Sequence, residues 1–247
     1  MHRILHHALK QAVRQGLIVR NVAQAVTPPK AAHREMKHLT ASQLHALLSA
    51  TANDWYYPIF HLAAWTGMRR GEVVGLKWQD VDLGQSTVSV RRSLLRVAGK
   101  GFVEGAPKTA KSKRLISITD DVVTMLKRHR AAQAEKRLAA GPAWQDNDLV
   151  FAAAVGGPID PDEITHAFYN AVRRLGLPHV RFHDLRHTHA SLLLAQNVHP
   201  KVVQERLGHS TIAITLDTYS HSIPGLQGAA AKAFEGIMAA AKAVPVS

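Results

Sequence analysis

The chain has 247 residues, enough for one large or two small domains, and 31 Lys and Arg against 18 Asp and Glu give it a formal net charge of +13. This excess of positive charge favours a polyanion, and nucleic acid above all, as the partner. The absence of cysteine excludes a disulfide, a thiolate zinc site and a cysteine nucleophile. No apolar run reaches the roughly 18 residues of a membrane span. We therefore expect a cytoplasmic protein without membrane contact.

The start of the chain predicts a helix, a linker and a second helix. Residues 2–19 carry apolar side chains at mostly helical spacing, which predicts the first helix. Residues 27–30, Thr-Pro-Pro-Lys, are typical of a stiff and basic linker. Thr40 and Gln43 have the spacing of a capping box, which predicts that the next helix begins there.

The middle of the chain predicts two helices followed by strands. Residues 55–65 are mostly apolar and suit a buried helix with Pro58 in its first turn, and Glu72–Leu76 suits a short helix after a glycine-flanked break. Thr87–Val97 and Arg114–Ile118 alternate apolar and polar residues as strands do. The glycines between these two segments favour a β-hairpin.

Helical patterns dominate the second half of the chain. The predicted helices there cover residues 119–140, 161–175, 183–196, 200–207 and 225–243. A short apolar piece at residues 149–151 suits one last strand. The sequence therefore predicts a mostly α fold with one small antiparallel β-sheet, of the α+β class.

One predicted helix carries a candidate anion site. His183 and Arg186 are three residues apart, so both side chains face the same way, and they combine a group that transfers protons near neutral pH with a planar fork of donors for phosphate. A solvent-exposed polar turn is the alternative interpretation. His183, Asp184 and His187 also imitate the H-E-x-x-H zinc motif, but Arg186 would lie beside the cation and no third ligand follows from the spacing.

Four more candidate residues are weak evidence when each is taken alone. Arg69 follows a glycine-containing turn and either clamps a phosphate or pairs with Glu72. Lys108 lies at the tip of the predicted hairpin, where lysines reach into grooves or simply add solubility. His209 precedes Tyr219 by ten residues. A tyrosine near a chain end is usually a packing residue, and its phenol is a poor nucleophile unless cations stabilise the phenolate.

Taken in order, five motifs resemble those of the tyrosine recombinase, or phage integrase, family. They are TGMRRGE (66–72), PKT (107–109), HDLRHTHAS (183–191), LGHS (207–210) and TLDTYSH (215–221). The resemblance runs from about Lys37 to about His221 and implies the tyrosine recombinase catalytic-domain fold. It also implies that residues 1–30 are the last helix and linker of a truncated core-binding domain, that 36–224 form the catalytic domain, and that 225–247 are a tail that packs on a neighbouring subunit.

The resemblance implies a complete set of catalytic residues. In it, Arg69 and Arg186 bind the phosphate, Lys108 protonates the leaving 5′ oxygen and Tyr219 is the nucleophile. His183 assists proton transfer at the nucleophile, and His209 donates a hydrogen bond to the scissile phosphate. Glu72 and Asp184 have supporting roles.

The function that the resemblance implies is site-specific recombination of double-stranded DNA through a 3′-phosphotyrosine. No metal, ATP or other cofactor is expected to take part. The enzyme is expected to be a homo-oligomer that forms a tetramer on DNA. Three alternatives stay open. They are a DNA-binding protein that is inactive because its N-terminal clamp is truncated, a type IB topoisomerase with similar chemistry, and a zinc hydrolase whose metal is bound by the His183–His187 segment.

Overall fold

The computed structural model of the chain describes residues 2–27, 37–105 and 113–219, together with residues 228, 231, 232, 234–236 and 238. The contacts within the chain divide it into two compact units, residues 1–35 and 36–247. In the first unit, helix α1 spans His2–Arg14 and a 3₁₀ turn spans Val22–Ala25. Asn21 joins them, because its side chain donates to the carbonyl of His6 at 2.9 Å and accepts from the N–H of Ala23 at 3.0 Å.

The described part of the second unit is mostly helical, with a core between its helices. The helices are α2 (Ala41–Ala50), α3 (Tyr57–Thr66), α4 (Arg70–Val74), α5 (Asp120–Ala140), α6 (Pro161–Arg174), α7 (Asp184–Ala195), α8 (Pro200–Leu207) and α9 (Ile212–Tyr219). Phe60, Phe168 and Phe182 pack against one another in this core, with ring centroids 5.3 to 6.1 Å apart. Such tilted and edge-on pairs add to the stabilisation from burying the rings.

Local chemistry explains where several helices begin and end. Thr40 caps α2 through a capping box with Gln43, and Pro58 lies in the first turn of α3, where its missing N–H costs nothing. Gly67 ends α3 with φ of 64°, a left-handed conformation that glycine adopts without strain. A Cβ at Gly67 would lie 2.6 Å from Leu207 Cδ2, so the turn after α3 and the end of α8 approach each other closely.

The strands form two small antiparallel sheets. Strand β2 (Thr87–Val90) pairs with β1 (Val81–Asp82) and with β5 (Arg114–Ser117), and Val88 lies opposite Val81 on one side and Ile116 on the other. Strands β3 (Ser93–Val97) and β4 (Gly101–Gly105) form a separate hairpin that turns at residues 98–100.

The prediction of one continuous strand over residues 87–97 was therefore wrong, as was the prediction of one sheet. Arg91 and Arg92 interrupt the strand, and both form ion pairs with the buried carboxylate of Asp80. This pairing turns the chain from one sheet into the other. The apolar piece at residues 149–151 is also not a strand, because Leu149 makes only an isolated bridge to Lys77.

The other predicted helices within the described residues are present, with ends shifted by a few residues. Helix α9 is an addition that the sequence pattern did not indicate. Most of the predicted tail helix, residues 225–243, lies outside the described residues, as do residues 107–109, which carry Lys108. None of the described helices is long and apolar enough to cross a membrane.

Candidate active site

Arg69 lies at the start of α4, where Glu72 holds it by two contacts. Its backbone N–H and its guanidinium Nη1 each donate to a different carboxylate oxygen of Glu72 at 2.8 Å. Its Nη2 donates to the carbonyl oxygen of Gly208 at 3.3 Å, which joins the start of α4 to the turn after α8. The side chain of Arg69 is 39% exposed, so part of the guanidinium faces solvent.

Glu72 is buried because a second arginine pairs with it. Arg114, from β5, donates to both carboxylate oxygens of Glu72, at 3.1 and 2.8 Å, and its Nε donates to the carbonyl oxygen of Arg206 at 2.7 Å. Burial acts to raise the pKa of Glu72, but the hydrogen bonds and charges of Arg114 and Arg69 outweigh it and hold that pKa below its ordinary value. Sequence reasoning missed this role of Arg114, which looked like one more basic residue.

Arg186 is the buried arginine of the site. It is 3% exposed, and its Nη1 donates to the carbonyl oxygen of Gly67 at 2.7 Å. Its Nη2 is buried and has no hydrogen-bond partner within the described part of the chain. Burial, and then the positive charge of Arg69, lower the pKa of Arg186 to about 9. A buried donor without an acceptor, next to another cation, is the arrangement that an anionic ligand would stabilise.

His183 and Asp184 begin α7 beside Arg186. Asp184 is buried and accepts from the backbone N–H of Arg181 at 2.8 Å and from its guanidinium at 3.2 and 3.3 Å, which secures the start of the helix. His183 is exposed, and its ring lies edge-on to that of His187 with centroids 5.2 Å apart. Although His183 keeps contact with solvent, neighbouring groups remove part of the water from around its ring. This desolvation, and then the positive charge of Arg186, lower the pKa of His183.

His209 follows the left-handed Gly208 that ends α8, and two contacts orient it. Its Nδ1 lies 2.9 Å from the hydroxyl of Thr215 on α9, and its carbonyl oxygen accepts from the side chain of Gln204 at 2.6 Å. Burial, and then the positive charge of Arg186, lower the pKa of His209 to about 3, so the ring is neutral at physiological pH.

Tyr219 is the last residue of α9 and is only 1% exposed. Its ring packs with Ala190, Leu194, Val203 and Leu207 in a small apolar cluster apart from the main core. Its hydroxyl lies 2.7 Å from Nδ1 of His187. Burial raises the pKa of Tyr219 to about 12, against the opposing effect of the positive charge of Arg186, so the phenol holds its proton at neutral pH.

The geometry around His187 and His189 bears on the zinc interpretation. Nδ1 of His187 is occupied by the hydroxyl of Tyr219, and His189 is held between the carbonyl oxygen of Ala64 and the guanidinium of Arg206, at 2.9 and 3.0 Å. Over residues 2–27, 37–105 and 113–219, no three side chains of the metal-ligating types come together.

The structure thus brings five of the predicted residues into one cluster. Hydrogen bonds, ring contacts and electrostatic interactions connect Arg69, His183, Arg186, His209 and Tyr219. Lys108, the sixth, lies outside the described residues. The sequence pointed to Glu72 and Asp184 as supporting residues, and both are buried among arginines. It missed Arg114 and the contact of His187 with Tyr219, since both depend on which elements pack together.

Comparisons with known proteins agree on one family. Residues 37–224 match the model of the phage integrase family. The chain is 32% identical over 242 residues to a tyrosine recombinase XerC-like protein of Caldanaerobacter subterraneus subsp. tengcongensis, in an alignment that covers 91% of this chain and 62% of that protein. The chain spans about three fifths of the length of the curated relatives that it matches first.

Two solved structures have similar folds. The Tn1549 transposon integrase, in complex with transposon right end DNA, matches with a TM-score of 0.75 and 25% identity, over 95% of this chain and 77% of that one. The XerA recombinase matches with a TM-score of 0.61 and 26% identity, over 87% of this chain and 69% of that one.

Proposed function

Because the chain belongs to the phage integrase family, we propose that it is a site-specific recombinase that cuts and rejoins DNA through a covalent bond to Tyr219. The observation that carries the proposal is the buried Nη2 of Arg186, a donor that has no acceptor among the residues that the structure describes, in a cluster of cations around the phenol. A phosphodiester would supply that acceptor and the opposing charge. The fold is that of a tyrosine recombinase catalytic domain, mostly helical with small antiparallel sheets.

In the proposed reaction, Oη of Tyr219 gives up its proton, a transfer that the family resemblance says His183 assists. Oη then bonds to the scissile phosphorus and the bond to the 5′ oxygen breaks. Negative charge grows on the nonbridging oxygens of the pentavalent transition state, where Arg69, Arg186 and His209 would donate hydrogen bonds. Each such preorganised donor is worth about a hundredfold or more in rate. The leaving oxygen takes a proton, which the family resemblance assigns to Lys108.

The products are a 3′-phosphotyrosine and a free 5′ hydroxyl. The phosphoester is conserved in this exchange, so attack by a 5′ hydroxyl on the phosphotyrosine rejoins the strand without ATP. The same arginines and histidine serve both directions, because the two reactions pass through the same kind of transition state. We propose that no metal takes part, since the donors around Tyr219 already match the charge that develops.

We also propose double-stranded DNA as the partner and a tetramer as the assembly on DNA. The formal net charge of +13 supports a polyanionic partner. The similar Tn1549 transposon integrase was solved in complex with transposon right end DNA, which supports the same partner. The role of residues 1–30 as the end of a core-binding domain, that of 225–247 as a tail for a neighbouring subunit, and the cytoplasmic location stay predictions.

The burial of Tyr219 favours a second candidate function, in which the chain binds DNA without cutting it. A phenol that is 1% exposed does not meet a phosphate until the protein around it moves. The two candidates make opposite predictions about a covalent product, so one experiment separates them.

The test uses a duplex with the core sequence of the attachment site, read from the junctions of the integrated element, and a nick next to the cleavage position. Cleavage releases a short fragment that ends in the free 5′ hydroxyl. Because this fragment diffuses away, the strand cannot be rejoined and the covalent product accumulates. We expect an adduct on denaturing gels that the Tyr219→Phe variant does not form. Binding without any adduct would favour the second candidate, and relaxation of a supercoiled plasmid that lacks the site would indicate a topoisomerase.

A further inference from the structure

The hydroxyl of Tyr219 has one hydrogen-bond partner among the described residues, and that partner is His187. The distance from Oη to Nδ1 is 2.7 Å, and the two ring centroids are 5.7 Å apart. His187 is 8% exposed, so little water competes with this contact. The set of catalytic residues that the family resemblance implies does not include His187.

The two histidines of the predicted set are less well placed for the proton of Tyr219. His183 is exposed at the start of α7 and contacts the ring of His187, without a hydrogen bond to the phenol. His209 lies roughly parallel to the ring of Tyr219 at 6.5 Å between centroids, and its Nδ1 contacts Thr215 instead. In the part of the chain that the structure describes, His187 is therefore the group positioned to accept that proton.

The direction of the hydrogen bond follows from the chemistry of the two groups. A phenol is the stronger acid and an imidazole nitrogen the better acceptor, so we assign the phenol O–H as the donor and Nδ1 of His187 as the acceptor. The ring then carries its proton on Nε2. Burial, and then the charge of His183, lower the pKa of His187 to about 4, which keeps the ring neutral and able to accept.

We propose that His187 is a further catalytic residue, the general base that removes the proton from Tyr219 during strand cleavage. The inference rests on the proposed recombinase function. In the step, the O–H bond of Tyr219 breaks and its proton moves to Nδ1 of His187, while Oη bonds to phosphorus and the bond to the 5′ oxygen breaks. The 5′ oxygen takes a proton from the general acid. When the strand is rejoined, the imidazolium returns its proton to Oη.

Binding of the substrate prepares His187 for this step. Several charged or titratable groups face its ring: His183, Asp184 and Arg186 on α7, Arg181 before it, Tyr219 on α9 and His209 after α8. The cations among them disfavour the imidazolium. A phosphodiester bound at Arg186 adds a negative charge that offsets them, so the basicity of His187 rises when a phosphate is present.

The first experiment measures the rate of adduct formation with the nicked duplex for the full chain and for the His187→Gln variant. Glutamine keeps hydrogen-bonding capacity but does not take up a proton. We expect a loss of about 10²–10⁴-fold in the variant, the usual contribution of a general base. His166→Gln is the matched control, because His166 is exposed on α6, and it should cleave at the wild-type rate.

A substrate with a sulfur in place of the bridging 5′ oxygen distinguishes a base from an acid. The thiolate leaves without a proton, so this substrate should rescue a variant that lacks the general acid, such as Lys108→Ala. It should not rescue His187→Gln. Raising the pH should partly restore His187→Gln, because more of the phenol of Tyr219 is then ionised. A merely structural role of His187 would produce neither pattern.

A second measurement needs no variant to fold or to cleave. Nitrogen-15 NMR of the histidine rings in the wild-type chain reports which ring nitrogen of His187 carries the proton, and we expect protonation on Nε2 and an acceptor Nδ1. A proton on Nδ1, or cleavage by His187→Gln within about threefold of wild type, overturns the inference and leaves the recombinase function intact. Absence of any adduct in the wild-type chain overturns both.

Discussion

Nη1 of Arg186 donates to the carbonyl oxygen of Gly67 at 2.7 Å and so connects helix α7 to the turn that follows α3. This bond uses one of the two terminal nitrogens and leaves the other, Nη2, buried in the site with no partner from residues 2–27, 37–105 and 113–219. Gly67 is left-handed and Arg69 follows two residues later. The turn at Gly67 therefore orients Arg186 through its carbonyl oxygen and also positions Arg69.

Arg186→Lys tests whether both terminal nitrogens are needed. Lysine keeps the charge but has a single point of donation, so it cannot contact both the carbonyl oxygen of Gly67 and a phosphate as a planar fork does. We expect the rate of covalent adduct formation to fall about 10²–10³-fold. The matched control is Arg173→Lys, an exposed arginine in the last turn of α6, which should retain the wild-type rate. Equal rates in the two variants would contradict a phosphate-binding role for Arg186.

Glu72→Gln tests the buried carboxylate between Arg69 and Arg114. Removal of one partner of a buried ion pair leaves uncompensated charge, so we expect a loss of about 3 kcal/mol in the free energy of unfolding at neutral pH, measured by urea denaturation. Exposed Glu135→Gln is the control and should change little. Because the pKa of Glu72 is below its ordinary value, its stabilisation is present above that ordinary value and is lost as the pH falls through the lowered pKa.

The difference in stability between wild type and Glu72→Gln should therefore shrink in acid. If the two proteins differ by the same amount at every pH, the arginine partners of Glu72 do not act through its ionised carboxylate. In that case Glu72 supports the site by its shape alone.

His189→Gln tests a second pH dependence. Burial, and then the charge of Arg206, lower the pKa of His189 to about 3, so the folded protein keeps this ring neutral while the unfolded chain protonates it near pH 6.5. Its contribution to stability is complete above that pH and is lost as the pH falls, at about 1.4 kcal/mol per pH unit. Between pH 6 and pH 5 the variant should lose less stability than wild type by about this amount in urea denaturation.

Gly67→Ala tests the close approach between the turn after α3 and the end of α8. Alanine at a φ of 64° is strained by about 1–2 kcal/mol, and its Cβ would also meet Leu207 at 2.6 Å and His189 at 2.9 Å. Gly176→Ala is the matched control, since Gly176 has a φ of 61° and nothing within 4 Å of a Cβ. We expect Gly67→Ala to lower the melting temperature clearly more than Gly176→Ala, because overpacking adds a further 1–3 kcal/mol or so. Equal decreases in the melting temperatures of the two variants would show that the backbone strain of a left-handed alanine is responsible, without a contribution from overpacking.

The sequence predicted the helices well where periodicity and caps agree. Thr40, Pro161 and Pro200 each begin or open a helix in the place that their chemistry indicates. The prediction failed at Arg91 and Arg92, where the alternating pattern continues through a point at which ion pairs with Asp80 divide one strand into two. A local pattern carries no information about a carboxylate that lies earlier in the chain, outside the strand.

The candidate site shows the same limit. The resemblance to the tyrosine recombinase family singled out Arg69, Arg186, His209 and Tyr219, which lie in motifs that follow one another in the family's order. It assigned no function to Arg114, whose partner Glu72 comes from another element 42 positions away, or to the contact of His187 with Tyr219, 32 positions apart. Such partners are decided by packing, so only the folded chain reveals them.

The burial of Tyr219 has a thermodynamic consequence for the proposed reaction. Esterification replaces the phenolic hydrogen by a phosphorus atom, so the covalent intermediate loses the hydrogen bond that the phenol donates to His187. The residues around Oη also have to open to admit the strand. The free protein regains both that bond and the apolar packing of the ring when the strand is rejoined. Packing of the nucleophile therefore favours intact DNA over the broken strand and limits how long a break persists.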